Sequence, residues 1–178
     1  MENVVNRMSA ALAVIATMST VVLMFAITAD VIVRNVTSAS IPGVLELSET
    51  ALVFAIFFGL AYTGATGGHI AVNLLTSRLP EKTARAMQAI SWLLVCILLM
   101  WLIYATGTRA INSFSISETR MGLVNWPVWP SRWVIVTGFC AMLLVSAVNT
   151  VRVVTGKDTM GESELDSAIG TSRQKISE

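Results

Sequence analysis

Four stretches of this chain carry no Asp, Glu, Lys or Arg: Met8 to Ala29, Thr50 to Gly68, Ala86 to Thr108 and Trp133 to Val151. Each is close to the roughly 20 residues that an α-helix needs to cross about 30 Å of hydrocarbon. The pattern predicts an all-α polytopic membrane protein with four transmembrane helices, over about 6–34, 47–68, 80–108 and 131–154. The first run exceeds the ~7–15 residues of a secretory signal core, and only Arg7 precedes it among basic residues, so it reads as a retained helix.

The polar joints between the runs carry their own signals. Asp30 and Arg34 stand one turn apart at the far end of helix 1, within reach of the headgroups. Pro42 and Gly43 break the chain, after which Glu46 and Glu49 begin helix 2 at the positive end of its dipole. Small residues recur every fourth position along helix 2, at Ala51, Ala55, Gly59, Thr63 and Gly67. Lipid tails are as apolar as leucine, so membrane helices associate through close packing at such grooves. This groove serves either the chain's own bundle or another membrane subunit.

The stretch from His69 to Met87 is polar on one side and apolar on the other, which suits the membrane surface. Pro80 fits a helix N1 position, and an unbroken pattern from there to Gly107 predicts a third helix that tilts or projects. Trp126, Trp129 and Trp133, beside Pro127 and Pro130, suit the headgroup layer before helix 4. Residues 156–178 are polar, rich in serine and charge and without apolar periodicity, which predicts a flexible cytoplasmic tail. Arg7, Arg78, Lys82, Arg85, Arg152 and Lys157 fall on one side; Arg34, Arg109, Arg120 and Arg132 fall on the other. The excess on the first side predicts that both termini are cytoplasmic.

Composition narrows the function more than it widens it. Of 178 residues, 54% are hydrophobic and 13% charged, against about a quarter charged in a soluble domain. A net charge of +1 gives no reason to expect nucleic acid as a partner. His69 is the single histidine, and Cys96 and Cys140 lie inside apolar runs, so neither paired haem ligands nor a zinc set is suggested. No phosphate-binding glycine loop or hydrolase nucleophile motif occurs. A self-contained ion-coupled transporter needs an acid or histidine within its helices, whereas Asp30, Glu46 and Glu49 sit at helix ends. These features predict an accessory membrane subunit with no cofactor and no enzymatic activity. The alternative is a small self-sufficient transporter acting as an oligomer.

The order of these features resembles the small membrane subunit of tripartite ATP-independent periplasmic (TRAP) transporters, the dicarboxylate-permease small-subunit family. Arg34, Glu46 to Glu49 ("ELSE"), Gly59 and Ala61, Gly67 to Leu75 ("GGHIAVNLL"), Leu79-Pro80 and the Pro127/Pro130 region carry the resemblance, over roughly residues 5–155. Asn73 departs from it, since the family often has aspartate there. The resemblance implies sodium-driven import of organic acids, mostly carboxylates, across the bacterial inner membrane. A periplasmic substrate-binding protein would capture the substrate, a large membrane subunit would carry the substrate and sodium sites, and the small subunit would brace its fixed scaffold.

On this reading His69 marks the cytoplasmic exit of helix 2 and caps exposed carbonyls or meets a loop. Arg34 pairs locally with Asp30 or Glu46, and the tryptophans anchor the chain in the bilayer.

Overall fold

The computed structural model of the chain describes residues 2–66, 81–120 and 124–155. The amphipathic segment from His69 to Pro80, Gly67 and the tail 156–178 lie outside the described residues. Four helices carry the fold: α1 (Glu2–Thr37), α2 (Val44–Ala65), α3 (Glu81–Ser115) and α4 (Trp129–Val154). All four are long and apolar enough to cross a membrane. Two short antiparallel strands join α3 to α4, β1 (Thr119–Arg120) and β2 (Trp126–Pro127), with Thr119 opposite Pro127 and Arg120 opposite Trp126.

Many hydroxyl residues do not interrupt these helices, because they return their hydrogen to the preceding turn. Thr17 donates to the Ala13 carbonyl at 2.9 Å, Ser19 to Ile15 at 2.9 Å and Thr20 to Ala16 at 3.0 Å. Such back-bonding satisfies a polar group where hydrocarbon offers it no partner. The same logic explains why α3 runs straight through Gly107, where the sequence reading ended the helix. A mid-helix glycine costs about 1 kcal/mol relative to alanine, far less than exposing several backbone groups to lipid. α3 stops two turns later through its own terminal chemistry. Ser117 adopts a left-handed conformation at φ 48°. The Glu118 N–H donates to the Ser113 carbonyl at 3.0 Å, and that of Ser117 to Phe114 at 3.2 Å. These two bonds form a Schellman closure of the helix end.

The turn from α1 to α2 is fixed by one carboxylate. Asp30, 8% exposed, accepts from Ser40 Oγ at 2.6 Å, the Ile41 N–H at 2.8 Å and Arg34 Nη2 at 2.9 Å. Gly43 then takes φ 89°, a left-handed conformation that a side chain would strain, and α2 begins at Val44.

The helices do not close into a bundle. α1 packs on α2, α2 on α4 and α4 on α3, while α1 barely touches α4. The spatial order is therefore an open row, α1–α2–α4–α3, with α1 and α3 at its edges. Among the described residues the central helices are buried along their shared seam, and Ala110 and Ser113 of α3 are fully buried as well. Ala61, Gly64 and Ala65 of α2 are buried, as are Val134, Gly138, Met142, Val145, Ser146 and Asn149 of α4. Gly138 lies so close to α2 that an added Cβ would come 2.6 Å from the Phe57 carbonyl oxygen. The rings of Phe57 and Phe139 meet edge to face beside it at 5.1 Å. On the other seam, Cys96 Sγ and Thr150 Oγ1 stand 3.7 Å apart between α3 and α4.

The row leaves both broad faces apolar. Val14, Met18, Phe25 and Ile32 project from α1, and Leu94, Ile97, Trp101 and Tyr104 from α3, all more than half exposed. A membrane or another protein must cover so much apolar surface.

Candidate functional site

Most of the charged side chains described by the structure gather at one end of the helices, where α1 ends, α2 begins and the β-hairpin leads into α4, while Arg7 and Arg152 stand at the other end. α2 supplies Glu46, Glu49 and Thr50 from its first two turns, because acids there complement the helix dipole. The hairpin supplies Glu118, Thr119, Arg120 and Trp126, and the first turn of α4 supplies Ser131 and Arg132. Together with Val53, Pro127 and Val128 they line an open cleft of about 350 Å³. That volume falls at the lower end of the ~300–1,000 Å³ typical of small-ligand pockets.

Two ion pairs hold the walls. Arg120 of β1 pairs with Glu49 of α2, tying the hairpin down. Arg132 of α4 pairs with Glu118 at 2.9 Å. The Arg132 Nη1 also reaches the Arg109 carbonyl of α3 at 3.4 Å. Trp126 donates its indole N–H to Thr50 Oγ1 at 3.1 Å, and that hydroxyl donates in turn to the Glu46 carbonyl at 2.9 Å. Glu46 itself is 8% exposed. Unlike Glu49 and Glu118, its carboxylate has no hydrogen bond or ion pair among the described residues.

The cleft holds no histidine or cysteine, and no group of three His, Cys, Asp or Glu able to hold a metal ion occurs among the described residues. Its chemistry is ionic. Two guanidiniums are already engaged, one carboxylate is unanswered, and an indole and several hydroxyls surround them.

The residues singled out from the sequence divide between this cleft and elsewhere. Glu46, Glu49 and Trp126 come together in it. Asp30 and Arg34 form their own pair at 2.9 Å beside Ser40. Trp129 and Trp133 stay on the surface, Trp129 edge to face with Phe114 at 5.5 Å. His69 and Gly67 lie outside the described residues.

The small-residue row on α2 does not keep to one face. Residues four apart advance by 400° at about 100° per residue, so each step rotates the row by about 40°. Ala51 is buried, Gly59 would place a Cβ 3.9 Å from that of Ala16, and Thr63 is exposed with its hydroxyl on the Gly59 carbonyl at 3.0 Å. The tight contacts with α4 are made instead by Gly64, against Met142 and Val145, and by Phe57, against Gly138.

The sequence reading also missed Glu118, Arg120 and Arg132 as members of a site. The hairpin that brings them to α2 has strands of only two residues, too short for any periodic signal.

Comparison with curated proteins and with solved structures gives no match. Residues 23–156 match the family described as tripartite ATP-independent periplasmic transporters, DctQ component. That span runs from the middle of α1 through the end of α4 and contains the whole cleft. The description is that of a transporter component. With four membrane-spanning helices and three quarters of its length matched, this multi-pass membrane chain belongs to the DctQ component family of TRAP transporters.

Proposed function

We propose that the chain is the small scaffold subunit of a sodium-coupled, binding-protein-dependent secondary transporter that imports organic acids through the bacterial inner membrane. Its partners are a large membrane subunit and a periplasmic substrate-binding protein. The observation that carries this reading is the open row of helices. A chain that must enclose a translocation path needs a closed wall or broken helices around a polar centre, and this row has neither. It has two apolar flanks, one for lipid and one for a membrane partner. The ionic end offers no welcome to a carboxylate either, because a substrate anion in the cleft would face the unanswered charge of Glu46.

The deciding experiment is co-expression with the large subunit of a TRAP transporter from the same genome, followed by mild detergent extraction. A fixed-stoichiometry complex is expected to survive size-exclusion chromatography. Recovery of this chain free of the large subunit, in a monodisperse form, would count against the scaffold role.

The same reading sets an orientation. Both termini lie in the cytoplasm, and the hairpin and cleft lie in the periplasm, following the excess of Lys and Arg at the opposite end. Alkaline phosphatase fused near Gly122 is expected to be active and the same enzyme fused at Glu178 inactive. The reverse pattern overturns the orientation.

A further inference from the structure

We infer that the cleft is a socket for one basic side chain, a guanidinium or an ammonium, presented by the soluble binding protein, with Glu46 as its carboxylate partner. The inference rests on the subunit assignment and orientation proposed above, and goes beyond them in naming the site and the chemistry.

The starting point is a carboxylate with no partner among the described residues, on a residue that is otherwise buried. Glu46 stands in the first turn of α2, where an acid gains from the helix dipole. A dipole alone is served equally well by an exposed acid, as Glu49 demonstrates one turn later at the rim. Glu46 as a residue is instead more than nine-tenths buried in the wall of a cleft, and its unpartnered carboxylate meets water only through that cleft. The cleft contains three carboxylates and two guanidiniums, Arg120 and Arg132, and each guanidinium is already engaged with Glu49 or Glu118. The surplus is one negative charge, and it resides on Glu46.

The surroundings select the occupant. A bare metal cation would need several converging oxygens, and the described residues gather no such set. A single organic cation fits better. The carboxylate answers its charge, the Trp126 ring offers an apolar and π-rich wall for a long stem, and Ser131 and Thr119 offer oxygens to remaining N–H groups. The location selects the source. The broad faces of the row are apolar and belong to lipid and the large subunit, whereas the cleft opens among charged walls at a helix end, where an occupant arrives from water. Ionic contacts at such a rim give steering and reversible docking more than permanent adhesion, which suits a partner that must come and go.

The test uses the complex of this chain with its large subunit in nanodiscs, and measures binding-protein affinity as a function of salt. Glu46→Gln is expected to weaken binding about tenfold, the scale of a hydrogen bond to a charged group, and to flatten the salt dependence, with the large subunit still bound. Arg120→Ser releases Glu49 and adds negative charge to the cleft, so it is expected to strengthen binding several-fold at low salt. Opposite signs from two variants in one wall are not produced by a merely structural role, and the second variant keeps the test decisive if the first folds poorly.

Unchanged affinity in both variants overturns the socket. So does loss of the large subunit from Glu46→Gln, which assigns the cleft to that partner. Loss of a co-purified ethanolamine lipid in native mass spectra, with binding-protein affinity unaltered, overturns it in favour of a headgroup site. Failure of the unaltered complex to bind any binding protein defeats the underlying subunit assignment instead, and so is distinguishable from failure of the socket alone.

Discussion

Gly138→Ala is expected to cost this protein more stability than any other single methyl group added to its described glycines. The new Cβ would stand 2.6 Å from the Phe57 carbonyl oxygen, 2.7 Å from the Phe57 Cβ and 3.0 Å from the Phe57 carbonyl carbon. Two of those atoms are backbone, so no rotamer change relieves the clash and α2 and α4 must separate. Overpacking of this kind costs about 1–3 kcal/mol, and separation of the central pair also forfeits the dispersion contacts that hold membrane helices together. Gly64→Ala provides the internal control. Its Cβ would meet Met142 Sδ at 2.5 Å and Cε at 2.9 Å, but a thioether at the end of a flexible side chain can swing aside. Thermal unfolding of the two variants in the same detergent should therefore separate them clearly, with Gly138→Ala the lower. Equal midpoints would mean that α4 does not press on Phe57 as described.

Proteoliposomes containing only this chain are expected to show no sodium-driven uptake of organic acids, while addition of the large subunit and binding protein restores it. Coupled transport needs sites whose affinity changes between conformations, built from polar groups or interrupted helices near the middle of the membrane. Here α2 and α4 continue unbroken through their apolar centres. α3 remains helical through Gly107, and the carboxylates of Asp30, Glu46 and Glu49 belong to the hairpin end of the row. The hydroxyls of Thr17 and Thr20 are spent on their own helix, and that of Ser146 is sealed in the packing of α4. Nothing in that inventory can exchange a hydration shell for protein ligands. Saturable, gradient-dependent uptake by the purified chain alone would reject the scaffold reading and favour a self-sufficient oligomeric transporter.

What could be read from the sequence was set by length scales. A run of some twenty uncharged residues is a strong signal because hydrocarbon penalises every unpaired backbone group, so the four spans stood out. The ends were less legible, because they are decided by local contacts. α3 passes Gly107 and closes only where Ser117 turns left-handed and the Glu118 N–H reaches Ser113. The cleft was legible in pieces. Glu46 and Glu49 announced themselves as dipole partners of α2, and Trp126 as an aromatic near the surface. Their meeting with Glu118, Arg120 and Arg132 depends on a hairpin two residues deep and on α2 and α4 being neighbours.

That neighbour relation is what sequence periodicity conveys least. The four-spaced small residues of α2 suggested one groove, but a straight helix rotates such a row away, and Thr63 ends on the surface. The contact that matters joins Gly64 to Met142 and Phe57 to Gly138. It needs both helices to be known before either glycine has a meaning.

The open order α1–α2–α4–α3 also changes what the chain is as an object in a bilayer. A closed four-helix column presents a nearly round outline to lipid. Four helices set side by side at interaxial distances of about 8–10 Å make a fence roughly 35 Å long and one helix thick. A fence is stiff along its length and compliant across it, because bending it strains only the three seams between neighbouring helices. Fastened along one flank to a larger body, it would lose that compliance and replace a long arc of boundary lipid with protein. The larger body would then sit in the membrane with a broader, less easily tilted base, and its moving parts would have a wide footing to push against.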